Sequence, residues 1–185
     1  VQMGSCRAAI NRGIAMVPED RKEQGLILPW GSRQNISLPG LETYKVAGVC
    51  ISLATEKIDS DRMTKEMRIR ITNDHQPVSN LSGGNQQKVV IGKWLAMKPK
   101  VLLLDEPTRG VDIGAKQEIY RLMESLAESG VAILFVSSEM EEVLSMADRI
   151  LVMHEGKITG ELTREEASEE TVMQLATGLA AGNKQ

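Results

Sequence analysis

The chain has 185 residues, and its 22 lysines and arginines against 25 aspartates and glutamates give a net charge of -3. Hydrophobic residues make up 42% of the sequence and charged residues 25%, a composition typical of a folded globular domain and not of a disordered chain. The balanced charge argues against a strongly basic surface that binds polyanions such as nucleic acids. The apolar runs are too short to cross a bilayer, and the two cysteines form neither a disulfide framework nor a metal-like pattern.

The first two thirds of the chain predict three strands separated by helices. Ile14–Val17 is a short apolar run of the kind found in a parallel sheet that is covered on both faces. Residues 38–78 are highly charged with weak periodicity and predict a small helical insertion. Two further strand-like runs, at 101–104 and 131–136, flank a segment with apolar residues at helical spacing. Asp112 is placed to cap that helix, so the strands and the helix predict a right-handed βαβ unit.

The last third predicts two helices around a hairpin. Ser138 with Glu141 has the spacing of a capping box, for a helix that runs to about residue 146. Thr163 with Glu166 predicts a second capping box, for a helix that ends near Gly178. The strands of the predicted hairpin between these helices are 149–153 and 157–162.

Two carboxylates follow the second predicted strand. Asp105 and Glu106 come directly after the apolar run, and Pro107 then ends the strand ladder because it has no N–H. Open α/β sheets bind ligands at this edge, where one carboxylate can hold Mg²⁺ and the other can orient or deprotonate a water. Taken alone, the pattern also suits an ordinary polar end of a strand.

A serine and two glycines precede another helical segment. Ser82, Gly83 and Gly84 lead into a stretch with apolar residues at helical spacing. Glycines let backbone N–H groups approach an anion, a helix N-terminus carries partial positive charge, and the serine adds a hydroxyl for a phosphate oxygen. The alternative is an ordinary serine N-cap followed by flexible glycines.

Together, the two motifs resemble those of the ABC-type ATPases. Residues 82–87 resemble the signature motif of that family, residues 105–108 its Walker B strand with the catalytic glutamate, and residues 109–112 its D-loop. The resemblance extends to the monosaccharide importers of the ribose, arabinose and galactose type, and the later part of the chain is most similar to the ribose importers. The segments that carry it are 18–22, 81–89, 105–112, 114–116 and 136–140.

The resemblance implies an α/β fold, the P-loop NTPase (ABC ATPase) core with a parallel sheet and a helical lobe that carries the signature. It also implies ATP and Mg²⁺ as cofactors, with Asp105 as the metal ligand and Glu106 and Ser138 as catalytic residues. The residues implied to bind the nucleotide or to join the two nucleotide-binding domains are Ser82, Gly83, Gly84, Gln87, Asp112 and Glu19.

The sequence departs from the family pattern in three places. No G-x-x-x-x-G-K-[ST] motif occurs, so the N-terminal P-loop portion is missing. Glu19 stands near the place of a glutamine, and Ser138 stands at the place of a histidine. A serine cannot contact the γ-phosphate as an imidazole does, which leaves hydrolysis at this half-site open.

We therefore interpret the chain as the later part of the second of two tandem nucleotide-binding domains, and we expect it to be inactive in isolation. Residues 1–178 would form this partial domain, and 179–185 a flexible tail. The predicted subdivisions are a helical lobe at about 38–98, a core with the Walker B strand at 99–162, and a C-terminal helix at 163–178.

The function implied by the resemblance is ATP-driven import of a ribose-like monosaccharide by a peripheral subunit on the cytoplasmic face of the plasma (inner) membrane. The implied partners are transmembrane permease subunits, the other nucleotide-binding domain and, indirectly, a periplasmic sugar-binding protein, with no nucleic acid. One alternative is a non-catalytic nucleotide domain, which the missing P-loop leaves open. Another is a DNA-repair or chromosome-type ABC ATPase, although the sequence lacks the long heptad helices and zinc-binding cysteines of that class.

Overall fold

The computed structural model describes residues 4–46 and 50–178, and the chain divides into two compact units, Val1–Val136 and Ser137–Gln185. The predicted tail at 179–185 lies outside the described residues. Within the described ranges, no helix combines the length and the apolar character that crossing a membrane requires.

The first unit begins with α1 (Cys6–Asn11), β1 (Ile14–Val17), a π-helical turn (Arg21–Gly25), α2 (Ser32–Ser37) and a 3₁₀ segment (Leu38–Tyr44). The short strands β2 (Lys45–Val46) and β3 (Cys50–Ile51) precede α3 (Leu53–Glu66) and a 3₁₀ turn (Val78–Asn80). The unit ends with α4 (Gly83–Leu95), β4 (Val101–Asp105), α5 (Ile113–Glu128) and β5 (Ala132–Val136). The second unit contains α6 (Met140–Met146), β6 (Arg149–His154), β7 (Lys157–Thr163) and α7 (Glu169–Ala176).

The main sheet consists of three parallel strands in the order β1-β4-β5, which confirms the three predicted strands and their parallel direction. One face of the sheet is fully packed: Val17, Leu102 and Leu104 are at most 2% exposed. The prediction that both faces are covered is wrong, because side chains on the opposite face are about half exposed. These are Met16 (49%), Leu134 (57%) and Val136 (60%). Successive strand residues point to opposite faces, and the packing within this unit buries only one of them.

Helix α5 completes the predicted βαβ unit. The Oδ1 atom of Asp112 accepts a hydrogen bond from the backbone N of Ala115 at 3.0 Å, which confirms the predicted cap. Gly130 follows the helix with φ +93°, a conformation that favours glycine and ends the helical path. The buried side chains of Ile119 and Met123 lie on the inner side of this helix.

The region predicted as a helical insertion is only partly helical. It contains the 3₁₀ segment and α3, and also the antiparallel hairpin of β2 and β3, which the sequence pattern did not indicate. A buried polar network joins α2 to α3: the Ser37 hydroxyl donates to Glu56 at 2.7 Å, and Arg33 lies 3.7 Å from Glu56 and 3.3 Å from Asp74. Because a buried charge is costly without partners, these contacts fix how the two helices pack.

Asn35 holds the turn that precedes α2. Its side chain is fully buried, and its Oδ1 accepts from the backbone N of Ile27 at 2.8 Å. Its Nδ2 donates to the carbonyls of Ile27 (3.1 Å) and Gly31 (3.0 Å). One amide therefore satisfies backbone groups that a helix or strand would otherwise pair.

The second unit is built on the hairpin of β6 and β7, whose antiparallel pairing confirms the predicted hairpin. Glu155 and Gly156 form its turn with φ +47° and +77°, as a two-residue loop with the right twist requires. The core of this unit is Ile150, Val152 and Val172, with side chains from α6 and α7 packed around it.

The predicted start of α6 is wrong. Glu139, not Ser138, occupies the N-cap position, and Ser137 forms hydrogen bonds within this turn. The Ser137 hydroxyl accepts from the N of Glu139 at 3.0 Å and donates to Glu142 at 2.6 Å. Neighbouring serines offer the backbone the same local bond, so spacing alone does not choose between them.

The predicted start of the last helix is also wrong. The N of Thr163 does donate to the Glu166 carboxylate at 3.0 Å, but this pair lies in the turn after β7. Helix α7 begins at Glu169, and its capping box consists of Ser168 and Thr171. A hydroxyl residue and a carboxylate three residues apart can therefore stabilise a turn as readily as a helix start.

We predict that Asn35→Ala lowers the free energy of unfolding by about 1–3 kcal/mol, because backbone groups of Ile27 lose their partners inside the protein. Urea unfolding followed by circular dichroism measures this change. Asn73→Ala is the matched control, since Asn73 makes one exposed hydrogen bond, to the N of His75. Equal stability losses in the two variants would contradict the role given to Asn35.

Candidate functional site

Ser82 and Gly83 form the accessible start of helix α4. The Ser82 hydroxyl accepts from the N of Asn85 at 3.4 Å and from its Nδ2 at 3.0 Å, so the N-cap offered by the sequence as an alternative is present. Ser82 is exposed, whereas Gly84 and Gln87 are buried. Only the first part of the predicted anion-binding segment therefore faces solvent.

The two glycines are also required by close packing within the first unit. A Cβ atom on Gly84 would lie 2.5 Å from the Cβ of Ala115 on α5, and one on Gly83 would lie 2.8 Å from the carbonyl oxygen of Gly110. Both distances are shorter than real Cβ contacts. The glycines thus allow α4 to meet both α5 and the turn that follows β4.

Glu106 lies at a backbone conformation that is rare for a residue with a side chain. Its φ is +46°, while its N–H still donates to the carbonyl of Val136 at 2.9 Å. Pro107 follows, so the ladder ends where the sequence predicted. A left-handed conformation costs of order 1–3 kcal/mol, and such strain clusters at functional sites. It turns the chain at Glu106, immediately after Asp105 closes the strand.

Arg21 connects three segments that are distant in the sequence. Its Nη1 donates to the carbonyl of Arg109 at 2.7 Å, its Nη2 to that of Gly110 at 3.1 Å, and its Nε to the side chain of Gln86 at 3.4 Å. Two residues before it, Glu19 forms an ion pair with the side chain of Arg109. The segment after β1 therefore contacts both the start of α4 and the turn after β4.

The structure thus brings together Glu19, Gly83 and the turn that leads to Asp112. Ser138 lies in the second unit, two residues past the end of β5. From the sequence, the segment around Arg21 could be a solvated turn or, by its resemblance to the importers, a segment that meets the membrane subunit. The only signal in the sequence was the charge of Arg21 among other charged residues. Its contacts could not be predicted, because its acceptors lie 65 to 89 residues away.

A buried lysine links α4 to α5. Lys88 is 5% exposed, and its ammonium group pairs with Glu118 and donates to the carbonyl of Arg68 at 3.4 Å. The hydrogen bond and the charge of Lys88 lower the pKa of Glu118 below its usual value. Sequence reasoning also missed this pair, since Lys88 stands 30 residues from its partner.

No ready-made metal centre occurs in residues 4–46 and 50–178: no three His, Cys, Asp or Glu side chains are grouped there as potential ligands. Mg²⁺ usually takes one or two carboxylates and completes its shell with water and substrate phosphates. The partly exposed Asp105 at the carboxyl end of β4 is compatible with that kind of site.

A family model described as ABC transporter matches residues 3–109, more than half of the chain. The chain belongs to the ABC transporter family. This confirms the family resemblance predicted from the signature and Walker B motifs.

Individual relatives narrow the comparison. The ribose import ATP-binding protein of Shouchella clausii is 54% identical over 170 residues, which are 92% of this chain and 34% of the relative. That of Rubrobacter xylanophilus is 53% identical over 176 residues, 95% of this chain and 34% of the relative. A putative ribose/galactose/methyl galactoside import ATP-binding protein of Rhizobium etli is 51% identical over 178 residues, with 96% and 34% covered. The chain spans about a third of the length of these relatives.

Solved structures confirm the predicted ABC ATPase fold. A dimeric ATP-binding cassette in a post-hydrolysis state with ADP and Pi has a TM-score of 0.70 at 24% identity, with 85% of this chain and 66% of that chain covered. CbiO1 from Clostridium perfringens, part of an ABC transporter complex, has a TM-score of 0.70 at 25% identity, with 95% and 67% covered.

The contact between α4 and α5 predicts strong coupling between Gly84 and Ala115. Gly84→Ala lowers the unfolding free energy by about 1–3 kcal/mol, because the added methyl overpacks the crossing. A side chain at this position therefore disturbs the packing of the unit itself, because its Cβ would lie 2.5 Å from that of Ala115.

The test is a double-mutant cycle. Ala115→Gly removes the obstructing methyl and alone costs about 1 kcal/mol of helix propensity. The double variant should recover part of the loss, with a coupling energy of about 0.5–3 kcal/mol. Strictly additive losses would contradict the packing role of Gly84.

The Lys88–Glu118 pair predicts a pH dependence of stability. The folded-state pKa of Glu118 is lowered, so its contribution is present above the ordinary carboxylate pKa of 4.5 and is lost as pH falls through the folded-state pKa. Glu118→Gln should be less stable than the wild type at pH 7, and the gap should shrink below pH 4.5. Denaturant unfolding across this range measures the gap, with Glu124→Gln on the exposed side of α5 as control. A gap that is constant with pH would refute the assignment.

Proposed function

We propose that this chain is part of the ATP-binding subunit of an ABC importer that drives uptake of a ribose-like monosaccharide. The observation that carries the proposal is identity of about half or more, over at least 92% of the chain, to proteins named for ribose or galactoside import. The start of α4 and the end of β4 lie in the same unit, which also supports the proposal. The first offers an exposed helix N-terminus and the second two carboxylates, and these groups suit the binding of a nucleotide with Mg²⁺.

The start of α4 would contact the phosphates of an ATP molecule bound by the other nucleotide-binding domain. Ser82 and Gly83 are the accessible groups there, and an exposed helix N-terminus attracts anions through its N–H groups and its dipole. Gly84 and Gln87 are buried, so they would support this segment from inside. Asp112 is exposed and would lie at the contact between the two domains.

The end of β4 would supply the groups that act on water. Glu106 would orient or deprotonate the attacking water, a role for which its strained backbone is a supporting observation. Asp105 would hold Mg²⁺, which when bound neutralises charge on the transferring phosphate. Glu19, which follows β1, would help to bind the nucleotide, and Ser138, which follows β5, would take part in catalysis.

The remaining parts of the proposal concern partners and place. An importer needs transmembrane permease subunits and a second nucleotide-binding domain, and a periplasmic sugar-binding protein would deliver the substrate. The subunit would work at the cytoplasmic face of the inner membrane, where ATP is available. Its net charge of -3 gives no reason to add a nucleic acid.

Glu106→Gln in the complete importer tests the proposal. The substitution keeps the size of the side chain but removes the base, so we expect a loss of ATP turnover of about 10²–10⁴-fold, with ATP binding retained. ATPase assays of the reconstituted importer, with nucleotide binding measured in parallel, provide the readout.

Glu124→Gln on α5 is the matched control, because it makes the same chemical change on the exposed side of the same unit. Unchanged turnover in Glu106→Gln would refute a catalytic site here. It would favour a non-catalytic nucleotide site, as the serine at position 138 in place of histidine also does.

A further inference from the structure

Arg21 joins the start of α4 and the turn after β4 through a single guanidinium group. Its two terminal nitrogens donate to neighbouring carbonyls, those of Arg109 and Gly110, at 2.7 and 3.1 Å. The planar fork of an arginine suits such a pair of acceptors, and a single ammonium cannot reproduce it. The third donor, Nε, reaches Gln86 on α4 at 3.4 Å.

The surrounding atoms leave little freedom for this group. A Cβ on Gly83 would lie 2.9 Å from the Nη2 of Arg21 and 2.8 Å from the carbonyl oxygen of Gly110. The guanidinium, the α4 start and the turn therefore meet without room for one methyl group. Gly110 has φ +66°, a conformation that favours glycine at this position of the turn.

Each of the two segments that Arg21 contacts has a further polar contact of its own. Gln86 is 4% exposed, and its Nε2 donates to the carbonyl of Val78 at 3.0 Å. The side chain of Arg109 pairs with Glu19, so both Glu19 and Arg21 hold the turn after β4. Movement of either segment would require breaking at least two polar contacts.

We propose that Arg21 is a positioning residue that sets the spacing between the signature segment, Ser82–Gly84, and the turn at residues 109–112. This inference rests on the proposed function, because both segments are proposed to act at the nucleotide between two domains. The nitrogens Nε, Nη1 and Nη2 of Arg21 each donate to an acceptor within the chain, and Arg21 thereby holds the two segments in one geometry. A displacement of about 1 Å at a reacting site costs on the order of 10²-fold in rate.

The first test separates positioning from general stability. Arg21→Ala in the complete importer should lower kcat for ATP hydrolysis by about 10–100-fold, with KM changed less than about threefold and the melting temperature within a few degrees of wild type. Arg21→Lys should recover only part of kcat, because one ammonium replaces a three-donor fork. Lys22→Ala, which changes an exposed neighbour, is the control and should match wild type.

The second test follows the two segments directly. Hydrogen–deuterium exchange of the importer should become faster at residues 82–86 and 109–112 in Arg21→Ala, and not at β6 or β7 in the other unit. Wild-type kcat, unchanged exchange, or a fall in melting temperature that accounts for the whole loss and is not relieved by lysine would each overturn the inference. If Glu106→Gln abolishes turnover while Arg21→Ala does not alter it, only this inference fails. If Glu106→Gln leaves turnover intact, the catalytic site of the proposed function fails.

Discussion

The burial of helix α4 is the constraint on which the first unit depends. Every residue from Gln86 to Lys93 is buried, and the helix packs against β1, α2, α3 and α5. A helix that is enclosed on all sides must satisfy any charge it carries, and this one carries two lysines. Lys88 pairs with Glu118, and Lys93 donates to the carbonyl of Gly25 at 2.9 Å, with burial lowering its pKa. The contacts of these two lysines therefore fix the rotation of α4 about its axis and its position among the neighbouring elements.

That constraint reaches the proposed nucleotide contact. Because α4 cannot slide, the position of its first turn is set by its neighbours, and the absence of side chains at Gly83 and Gly84 brings those neighbours close. Arg21 then links this turn to the chain beyond β4. The accessible groups at Ser82 and Gly83 are thus held by a rigid element, as a precise binding geometry requires.

Local patterns in the sequence were enough to predict the three strands of the main sheet, the hairpin of β6 and β7, the βαβ unit and the cap at Asp112, because each depends on apolar runs, a turn or a partner three residues away. They were also enough to predict the family and the end of β4, because Pro107 has no N–H to continue the ladder. They failed where several local solutions are equally good, as for the helix starts near Ser138 and Thr163. They could not reveal Arg21, because nothing near it in the chain specifies an acceptor at Gly110.

The sheet face formed by Met16, Leu134 and Val136 leaves apolar side chains about half exposed to water. Apolar area of this kind is removed from water by any complementary apolar surface that is available, whether a further segment of polypeptide or a second molecule. Within the described residues, β1 and β5 are also the outer strands of their sheet, where backbone groups are open to pairing. A surface that covers this face and binds only the folded chain would raise the apparent stability by mass action, so that the stability would depend on the concentration of that partner.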